Sequence, residues 1–311
     1  MILVFGSQGQ LGRALQDAIG EAPEHVFLSR DSRDDCGDIT NTEGITETLM
    51  DLKPEIIINA AAYTAVDQAE EEPDTVMAAN AKAPGSMAQI AAKIDALLVH
   101  YSTDYVFDGS GDKAWKETDS CHPLSVYGKS KRAGEEAILV SGAQHFILRT
   151  SLVYSRHGNN FLKTMLRLAE SKTELRVISD QWGVPTHVDY LAAATLDLIN
   201  LATPGIGSAN QTPPASGIYH CAPSGETTWF DYARLAINTA KSLGAAQTCK
   251  SIIPVSTAEY GSKTARPLNS RLDTSKLRSI LGREPPPWQD SVIDTVFQVL
   301  NETETDHDFN A

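Results

Sequence analysis

The chain has 311 residues, of which 41% are hydrophobic, and its formal net charge is −14. This length allows a full core in one large domain or two smaller ones, and the acidic balance argues against a broad nucleic-acid surface. The sequence has no run of about 18 apolar residues and no basic region before its apolar start, so we expect neither a membrane span nor a signal peptide. The four cysteines form no Cys-x-x-Cys pair, which is typical of reduced thiols in a cytoplasmic protein.

Strand and helix signals alternate over the first 150 residues. The predicted strands are short apolar runs at 2–5, 25–28, 55–59, 97–102 and 145–149. The helices predicted between them span 11–19, 43–52, 74–94 and 124–140. Such alternation predicts a parallel sheet covered on both faces, which is a Rossmann-type doubly wound α/β fold.

Beyond residue 150 the pattern is looser. Helices are predicted at 161–171, 188–201, 228–243, 270–281 and 288–300, with a strand at 218–221 and a loop at 203–217 rich in Pro, Gly, Ser and Asn. We therefore predict a dinucleotide-binding domain at 1–150, a smaller, mostly C-terminal α/β substrate-binding region at 151–300, and a frayed acidic tail at 301–311. Segments of the second region can return to the Rossmann sheet.

A glycine loop joins the first predicted strand to the first predicted helix. Residues 6–12 form a Gly-x-x-Gly-x-x-Gly pattern. Glycines there allow a tight turn, and the helix N-terminus offers free N–H groups and a partial positive charge to a pyrophosphate. The loop predicts a dinucleotide site, with a plain strand-to-helix turn as the alternative. Its assigned cofactor-binding residues are Gly6, Gly9, Gln10, Leu11 and Gly12.

The residues after the second predicted strand bear on the choice of cofactor. An acidic residue at this point binds the ribose 2′-OH of NAD, whereas this chain has Ser29 and Arg30. A hydroxyl and a guanidinium suit a 2′-phosphate, because Arg binds phosphate through a bidentate fork. We therefore predict NADPH, with NADH as an alternative, and place Asp38 and Ile39 beside the adenine. The plain alternative is that Arg30 is an exposed charge without a partner.

A possible catalytic group lies between residues 103 and 131. Tyr127 and Lys131 share one face of a predicted helix, where the Lys charge would lower the Tyr pKa from about 10. A tyrosine tuned in this way can donate a proton to a carbonyl oxygen. Thr103 ends a predicted parallel strand, at the sheet edge where open α/β sheets bind ligands, and could hold that oxygen. We therefore predict that Thr103, Tyr127 and Lys131 catalyse a ketone reduction; the alternative for Thr103 is that it merely terminates the strand.

Longer strings along the chain are more specific than these motifs. They are NAAAYTAVD at 59–67, STDYVFDG at 102–109, PLSVYG at 123–128, GNNF at 158–161, DQ-x-G at 180–183 and RP-x-NSRL at 266–272. With them the chain resembles the dTDP-4-dehydrorhamnose reductase family of the extended short-chain dehydrogenase/reductase superfamily, from its start to about Trp288. Nucleotide-sugar 4,6-dehydratases resemble one another in a Thr-Asp-Glu string, whereas here Tyr105 follows Asp104, which favours simple ketone reduction.

The resemblance implies NADPH-dependent reduction of the C4 ketone of dTDP-4-dehydro-L-rhamnose, the last step in making dTDP-L-rhamnose, a nucleotide sugar used for carbohydrates such as lipopolysaccharide. By resemblance, Tyr127 donates the proton, Lys131 tunes it and binds the nicotinamide ribose, and Thr103 holds the ketone oxygen. The cofactor would also pass Ala62, Tyr63 and Thr64. The implied substrate-binding residues are Thr103, Asp104, Leu152, Asn160 and Arg271.

The resemblance also implies a homodimer and a dependence on Mg²⁺, with no nucleic-acid or membrane partner. The metal ligands are unknown from the sequence. Asp189 lies in a suitable region, but a lone carboxylate is usually only solvated. His187 is read as a structural residue, because Tyr127 already fills the proton role.

One departure from the family leaves two alternatives open. The family commonly has Trp where this chain has Leu152, so the preferred nucleotide 4-keto sugar could differ although the chemistry should survive. The other alternative is a non-catalytic regulatory subunit resembling that of methionine adenosyltransferase, which shares the fold and the Tyr-x-x-x-Lys pair. The corresponding string of that protein resembles Ser-Ser-Asp at the position where this chain has Thr103. That protein also lacks the string at 62–67.

Overall fold

The computed structural model describes residues 1–20, 22–203 and 213–308, with side chains described as far as residue 302. Its strands are β1 (Ile2–Phe5), β2 (Val26–Leu28), β3 (Ile56–Asn59), β4 (Leu97–Thr103), β5 (His145–Thr150), β6 (Val153–Tyr154), β7 (Glu174–Ile178), β8 (Trp182–Gly183), β9 (Thr186–His187), β10 (Gly217–His220), β11 (Thr227–Thr228) and β12 (Ser251–Val255). Its α-helices are α1 (Gln10–Ile19), α2 (Thr42–Leu52), α3 (Val66–Ala69), α4 (Pro73–Met77), α5 (Ala83–Ile94), α6 (Val126–Leu139), α7 (Phe161–Ser171), α8 (Val188–Ala202), α9 (Trp229–Ser242), α10 (Thr257–Tyr260), α11 (Ser275–Leu281) and α12 (Trp288–Asp308). None of these described helices is long and apolar enough to cross a bilayer.

A six-stranded parallel sheet in the order β10-β5-β4-β3-β1-β2 forms the centre of the fold. The predicted Rossmann-type sheet is therefore confirmed. From β1, the chain adds β2 on one side and β3 on the other, so the strand order reverses between β1 and β3. Ligands of open α/β sheets bind at such a reversal, beyond the carboxyl ends of the strands.

Alternate strand residues bury opposite faces of this sheet, as a period of two requires. Val4, Ile58 and Val99 pack on one face against α1 and α8. Leu3, Ile57 and Leu98 pack on the other face against helices that include α2 and α5. Both faces are covered, which explains why the strands are almost continuously apolar.

The chain crosses residue 150 and later returns to this sheet. After α8 packs beside α1, β10 pairs with β5 in parallel, with Tyr219 opposite Leu148. The sheet is thus completed from the second region. The division at residue 150 stays a prediction about substrate binding, and it does not coincide with the end of the sheet.

The rest of the second region contains small sheets around an aromatic core. β7 pairs with β12, β8 with β11 and β6 with β9. Tyr154, Tyr232 and Trp288 join α7, α9 and α12 in one cluster. These strands are not predicted from the sequence, because most are only two residues long and β12 carries Pro254, which argues against a strand.

Several element ends in the second region differ from the sequence prediction. The helix expected at 270–281 begins only at Ser275, because Asn269 and Leu272 form bridges with Trp182 and Trp115. Residues 301–308 continue α12 beyond the predicted helix end at 300, the frayed tail stays a prediction, and residues 309–311 lie outside the described residues. The predicted loop at 203–217 ends where Gly217 begins β10, and its residues 204–212 lie outside the described residues.

The helix predicted at 74–94 is interrupted by a π-helical turn, Ala78–Lys82. From this turn the buried Asn80 side chain binds both backbone groups of Tyr63, accepting from its N–H at 2.9 Å and donating to its C=O at 3.0 Å. Such turns are often found at functional sites. Here the turn fixes the loop that follows β3.

Candidate active site

A cleft of about 700 Å³ opens at the carboxyl ends of the sheet strands, where the strand order reverses. Most predicted site residues line it together. They are Gly6, Gly9, Gln10, Leu11, Ser29, Arg30, Ile39, Ala62, Tyr63, Thr64, Thr103, Asp104, Tyr127, Lys131, Leu152 and Asn160. Gly12, Asp38 and Arg271 are not among the lining residues.

The glycine loop turns sharply at the floor of the cleft. Gly6 has a φ of +85°, and a Cβ atom there would lie 2.7 Å from the backbone nitrogen of Ala61. A Cβ atom on Gly12 would lie 2.0 Å from the Gly6 carbonyl oxygen, so Gly12 supports the turn from behind. Gly9 caps α1 without a side-chain hydrogen bond, which leaves the first N–H groups of the helix free for an anion.

The predicted adenine end of the cleft is formed by the segments after β2. Ser29 and the exposed Arg30 line it as predicted. Asp38 does not line it, because its carboxylate accepts hydrogen bonds from the N–H and hydroxyl of Thr40. Gly37 and Thr40 line it instead, and the sequence analysis missed both.

Thr103 and Tyr127 bring two hydroxyl groups together in the cleft. Ser125 caps α6 by accepting from the N–H of Gly128, which places Tyr127 in the first helical turn. The Thr103 hydroxyl donates to Asp104 Oδ1 at 3.1 Å and accepts from the N–H of Tyr105. A hydrogen bond also links the side chains of Tyr127 and Thr103. Two adjacent hydroxyl groups of this kind can hold one carbonyl oxygen.

The predicted lowering of the Tyr127 pKa is wrong for the cofactor-free protein. Burial raises this pKa to about 12, and the hydrogen bond with Thr103 only partly opposes it. Lys131 does not point toward the phenol, because its Nζ donates to Tyr101 O at 2.6 Å and lies 3.1 Å from His100 Nε2. Burial also lowers the pKa of Lys131 to about 8, against the opposing charge of Glu135.

A buried ion pair holds α6 against the sheet. Glu135 accepts from Arg149 Nε and Nη2, both at 2.7 Å, and from the hydroxyl of Ser102 at 2.6 Å. Both charged side chains are fully buried, and Arg132 adds a hydrogen bond at 3.0 Å. Although burial alone would raise it, the pKa of Glu135 is lowered by these hydrogen bonds. The network fixes the helix that carries Tyr127 and Lys131.

Asp104 is a buried carboxyl group in the cleft with an unpaired oxygen. It is 2% exposed, and within the described residues its Oδ2 has no hydrogen-bond partner. Burial raises its pKa from 3.8 to about 6, despite hydrogen bonds from Ser270 and Thr103. Asp104 is thus poised to receive a donor, such as a sugar hydroxyl.

We expect Asp104→Asn to stabilise the ligand-free protein above about pH 6. Because the pKa of Asp104 is raised in the folded protein, its carboxyl group contributes fully to the free energy of unfolding below the unfolded pKa near 3.8. This contribution is lost as pH rises through about 6. A shift of about two pKa units corresponds to about 3 kcal/mol, which the neutral amide would recover. Urea unfolding at about pH 4.5 and about pH 7.5 should show about 2 kcal/mol of this effect, because part of it is already lost at pH 4.5.

Asp108→Asn is the matched control for that experiment. The pKa of Asp108 is lowered by hydrogen bonds from Ser110, so its carboxylate stabilises the wild type as pH rises. Relative to the wild type at the same pH, Asp108→Asn should therefore become less stable as pH rises, not more stable. If Asp104→Asn gave no more stability at the higher pH than at the lower, the raised pKa of Asp104 would be contradicted.

The substrate side of the cleft contains an unusual backbone conformation. Leu152 has a φ of +46°, a left-handed conformation that bulky non-glycine residues rarely adopt. Its side chain lies against Gly183, where a Cβ atom would come within 2.8 Å of Leu152 Cδ1. Asn160 caps α7 and donates to Gln10 Oε1 at 2.9 Å, which ties this side of the cleft to the glycine loop.

Arg271 lies away from the cleft lining. Its guanidinium stacks on Trp182 at 4.4 Å, and it pairs with Glu226. Its assignment to the substrate therefore stays a prediction that the position of the side chain does not favour.

The implied magnesium site is not supported. Within the described residues, no group of three or more His, Cys, Asp or Glu side chains could hold a metal ion. The Asp189 side chain is 75% exposed and lies 3.5 Å from His187 Nδ1. These residues do not fit a resident cation, and no step of the reaction is assigned to one.

A Rossmann sheet, a glycine loop at its reversal point and a Thr–Tyr–Lys group in one cleft define an NAD(P)-dependent oxidoreductase of the short-chain dehydrogenase/reductase type. A family model described as "RmlD substrate binding domain" matches residues 1–301. The chain belongs to that family.

Named relatives cover nearly the whole chain. The dTDP-4-dehydrorhamnose reductase of Escherichia coli strain K12 is 44% identical over 288 residues, which span 93% of this chain and 94% of that protein. A crystal structure of dTDP-4-dehydrorhamnose reductase from Bacillus anthracis in complex with NADP has a TM-score of 0.82 and 33% identity, covering 96% of this chain and 98% of the other. An ortholog from Clostridium acetobutylicum has a TM-score of 0.84 and 32% identity, covering 96% and 99%.

Proposed function

We propose that this protein reduces the C4 ketone of dTDP-4-dehydro-L-rhamnose with NADPH, giving dTDP-L-rhamnose. The observation that carries this proposal is the single cleft in which the glycine loop, the paired hydroxyls of Thr103 and Tyr127, and Lys131 meet. Relatives named dTDP-4-dehydrorhamnose reductase match nearly the full length of the chain, and one of them was crystallised with NADP.

The chemistry follows from the protonation state of Tyr127. NADPH, when bound, supplies the hydride that reduces the ketone carbon. A phenol with a pKa of about 12 stays protonated at neutral pH, so Tyr127 acts as an acid rather than a base. Thr103 holds the ketone oxygen beside it, and the phenolic proton passes to that oxygen as negative charge develops.

The identity of the sugar substrate is the part of this proposal for which one residue suggests an alternative. Leu152 lines the cleft where the family commonly has Trp, so another nucleotide 4-keto sugar is a second candidate substrate. Comparing kcat/KM for different nucleotide 4-keto sugars separates the two candidates. The same comparison with Leu152→Trp would show whether this position sets the preference.

Direct turnover is the decisive experiment. Purified protein is mixed with NADPH and enzymatically generated dTDP-4-dehydro-L-rhamnose, and NADPH absorbance is followed. We expect NADPH to be consumed in step with dTDP-L-rhamnose formation. NADPH binding without turnover of any 4-keto sugar would contradict a reductase and favour a regulatory protein that retains its cofactor site.

NADPH preference rests on Arg30 in this proposal. Losing a charge-assisted hydrogen bond costs about 1.5–3 kcal/mol, so Arg30→Ala should lower kcat/KM for NADPH by about 10- to 100-fold and change NADH much less. Arg33→Ala is the matched control, because Arg33 is also exposed but does not line the cleft. Equal losses for both cofactors would contradict the role of Arg30.

Two further features belong to the proposal. We place the protein in the cytoplasm, where its nucleotide-sugar substrate and NADPH occur together. The homodimer implied by the family stays a prediction, which light scattering on the purified protein checks.

A further inference from the structure

Three buried side chains behind the cleft form a hydrogen-bonded row, and only one of them, Lys131, belongs to the proposed catalytic group. Asn59, His100 and Lys131 are each at most 2% exposed. Asn59 Nδ2 lies 3.2 Å from His100 Nδ1, and His100 Nε2 lies 3.1 Å from Lys131 Nζ. Lys131 and Ala61 line the cleft, and the Ala61 N–H donates to Asn59 Oδ1 at 3.2 Å. Both ends of the row therefore reach the cleft.

The neighbours of His100 restrict which ring nitrogen carries the proton. Burial holds the His100 pKa well below its usual value, so the ring is neutral, and the charge of Lys131 lowers this pKa further whenever Lys131 is protonated. Because Asn59 Oδ1 is occupied by the Ala61 N–H, Asn59 presents its NH₂ group, and His100 Nδ1 must accept. The ring proton is then on Nε2 and points at Lys131.

This arrangement requires a neutral lysine. An ammonium group offers only donors, so it cannot accept a hydrogen bond from Nε2–H. A neutral amine can accept it through its lone pair while still donating to Tyr101 O at 2.6 Å. The geometry therefore describes Lys131 in its deprotonated form.

Protonated Lys131 requires the opposite arrangement. When Lys131 takes up a proton from solvent, Nε2 must accept from it, and the ring exchanges its Nε2 proton for one on Nδ1. Asn59 must then turn its amide so that Oδ1 faces the ring. The Asn59 NH₂ group now faces the Ala61 N–H, which loses its acceptor.

We propose that Asn59 and His100 act as a tautomer switch, which couples the protonation of Lys131 to the backbone of the cleft at Ala61. Both are positioning residues, because they act through Lys131 and Ala61. A Cβ atom on Gly6 would lie 2.7 Å from Ala61 N, so this backbone adjoins the glycine loop. The switch itself does not depend on the substrate; its part in turnover rests on the proposed function.

The groups around Lys131 determine the pH at which the switch changes state. Because burial lowers the Lys131 pKa to about 8, both forms can be populated near neutral pH. Among the described residues, the charged or titratable groups around the row include Glu135 and Tyr127 on α6, Tyr101 on β4, Asp104 after β4 and Arg149 on β5. Burial raises the pKa of Tyr101, so its phenol stays neutral in this range. Glu135 is neutralised by Arg149 and has a lowered pKa, and Tyr127 has a raised one, so neither changes charge near pH 8. Asp104, with a pKa of about 6, titrates below that range.

Nitrogen NMR of the ligand-free protein tests the switch. Protein labelled with ¹⁵N-histidine is titrated from about pH 6.5 to about pH 9.5, around the Lys131 pKa of about 8. The His100 signal is identified among the eight histidines by its loss in His100→Gln. We expect a neutral ring throughout, with the proton on Nδ1 at low pH and on Nε2 at high pH. The Ala61 amide signal should shift with the same midpoint.

Two variants separate the switch from a merely structural role. Lys131→Met removes the titrating group, so His100 should keep its proton on Nε2 at every pH. Asn59→Asp offers acceptors to both the Ala61 N–H and Nδ1–H, so His100 should keep its proton on Nδ1. A single His100 tautomer across the wild-type titration, or a charged ring, would overturn the proposal. None of these measurements requires turnover, so a failed substrate assay would leave the result intact.

Discussion

Replacing Tyr127 with phenylalanine should lower the turnover number by about 10²- to 10⁴-fold, which is the usual contribution of a general acid. The variant lacks only the hydroxyl that donates the proton. Its ring keeps the edge-to-face contact with Tyr105, at 5.7 Å between ring centres, so the cleft should keep its shape. Turnover is measured by NADPH oxidation, and NADPH affinity by fluorescence titration.

Tyr105→Phe is the matched control for this variant. Tyr105 lines the same cleft beside Asp104, and its pKa is raised chiefly by burial. Because no role in proton transfer is assigned to its hydroxyl, we expect turnover close to that of the wild type. Should Tyr127→Phe retain more than about a tenth of the wild-type rate, another group must donate the proton, since even the low end of general-acid catalysis exceeds that factor.

Replacing Glu135 with glutamine should lower the free energy of unfolding by about 3–5 kcal/mol, because it leaves the buried Arg149 charge without its counter-charge. Within the described residues, the other contacts of the Arg149 guanidinium are Cys121 Sγ at 3.3 Å and the Phe107 ring at 5.0 Å. Neither can replace a carboxylate. Urea or thermal unfolding of the ligand-free protein measures the loss.

Glu136→Gln provides the comparison on the same helix. Glu136 also pairs with Arg132, at 2.9 Å, but its side chain is 59% exposed. Exposed pairs of this kind contribute about 0.3–0.5 kcal/mol, so this variant should unfold almost like the wild type. Similar small losses for both variants would mean that the buried pair does not stabilise the fold.

The sequence was most informative where local patterns decide the structure. Apolar runs fixed all six strands of the main sheet to within two residues at each end, because both faces of that sheet are buried. The pairing of β7 with β12 was missed because it joins segments more than 70 residues apart and because Pro254 obscures the strand pattern. The late start of α11 depends on bridges to Trp115 and Trp182, and no local pattern in residues 270–274 reveals them.

In the candidate site, too, features set by short motifs were predicted, whereas features set by contacts with other elements were not. The glycine loop and the Tyr-x-x-x-Lys pair come from short motifs, and both line the cleft as predicted. The direction of the Lys131 side chain could not be predicted, because it depends on His100 from another element. Asp38 does not line the cleft, and its carboxylate accepts from its own neighbour Thr40 in a local turn, so its place beside the adenine stays a prediction.

The late return of β10 to the sheet has a consequence for synthesis of the chain. Five strands of the sheet have been made when Thr150 leaves the ribosome, but His220 follows about 70 residues later. At about 5–20 residues per second, this delay lasts roughly 4–14 s. During that time β5 is an open edge, and part of the apolar face beneath α8 is uncovered. If the first five strands pair before β10 is made, another chain could pair with the open edge of β5 during this interval.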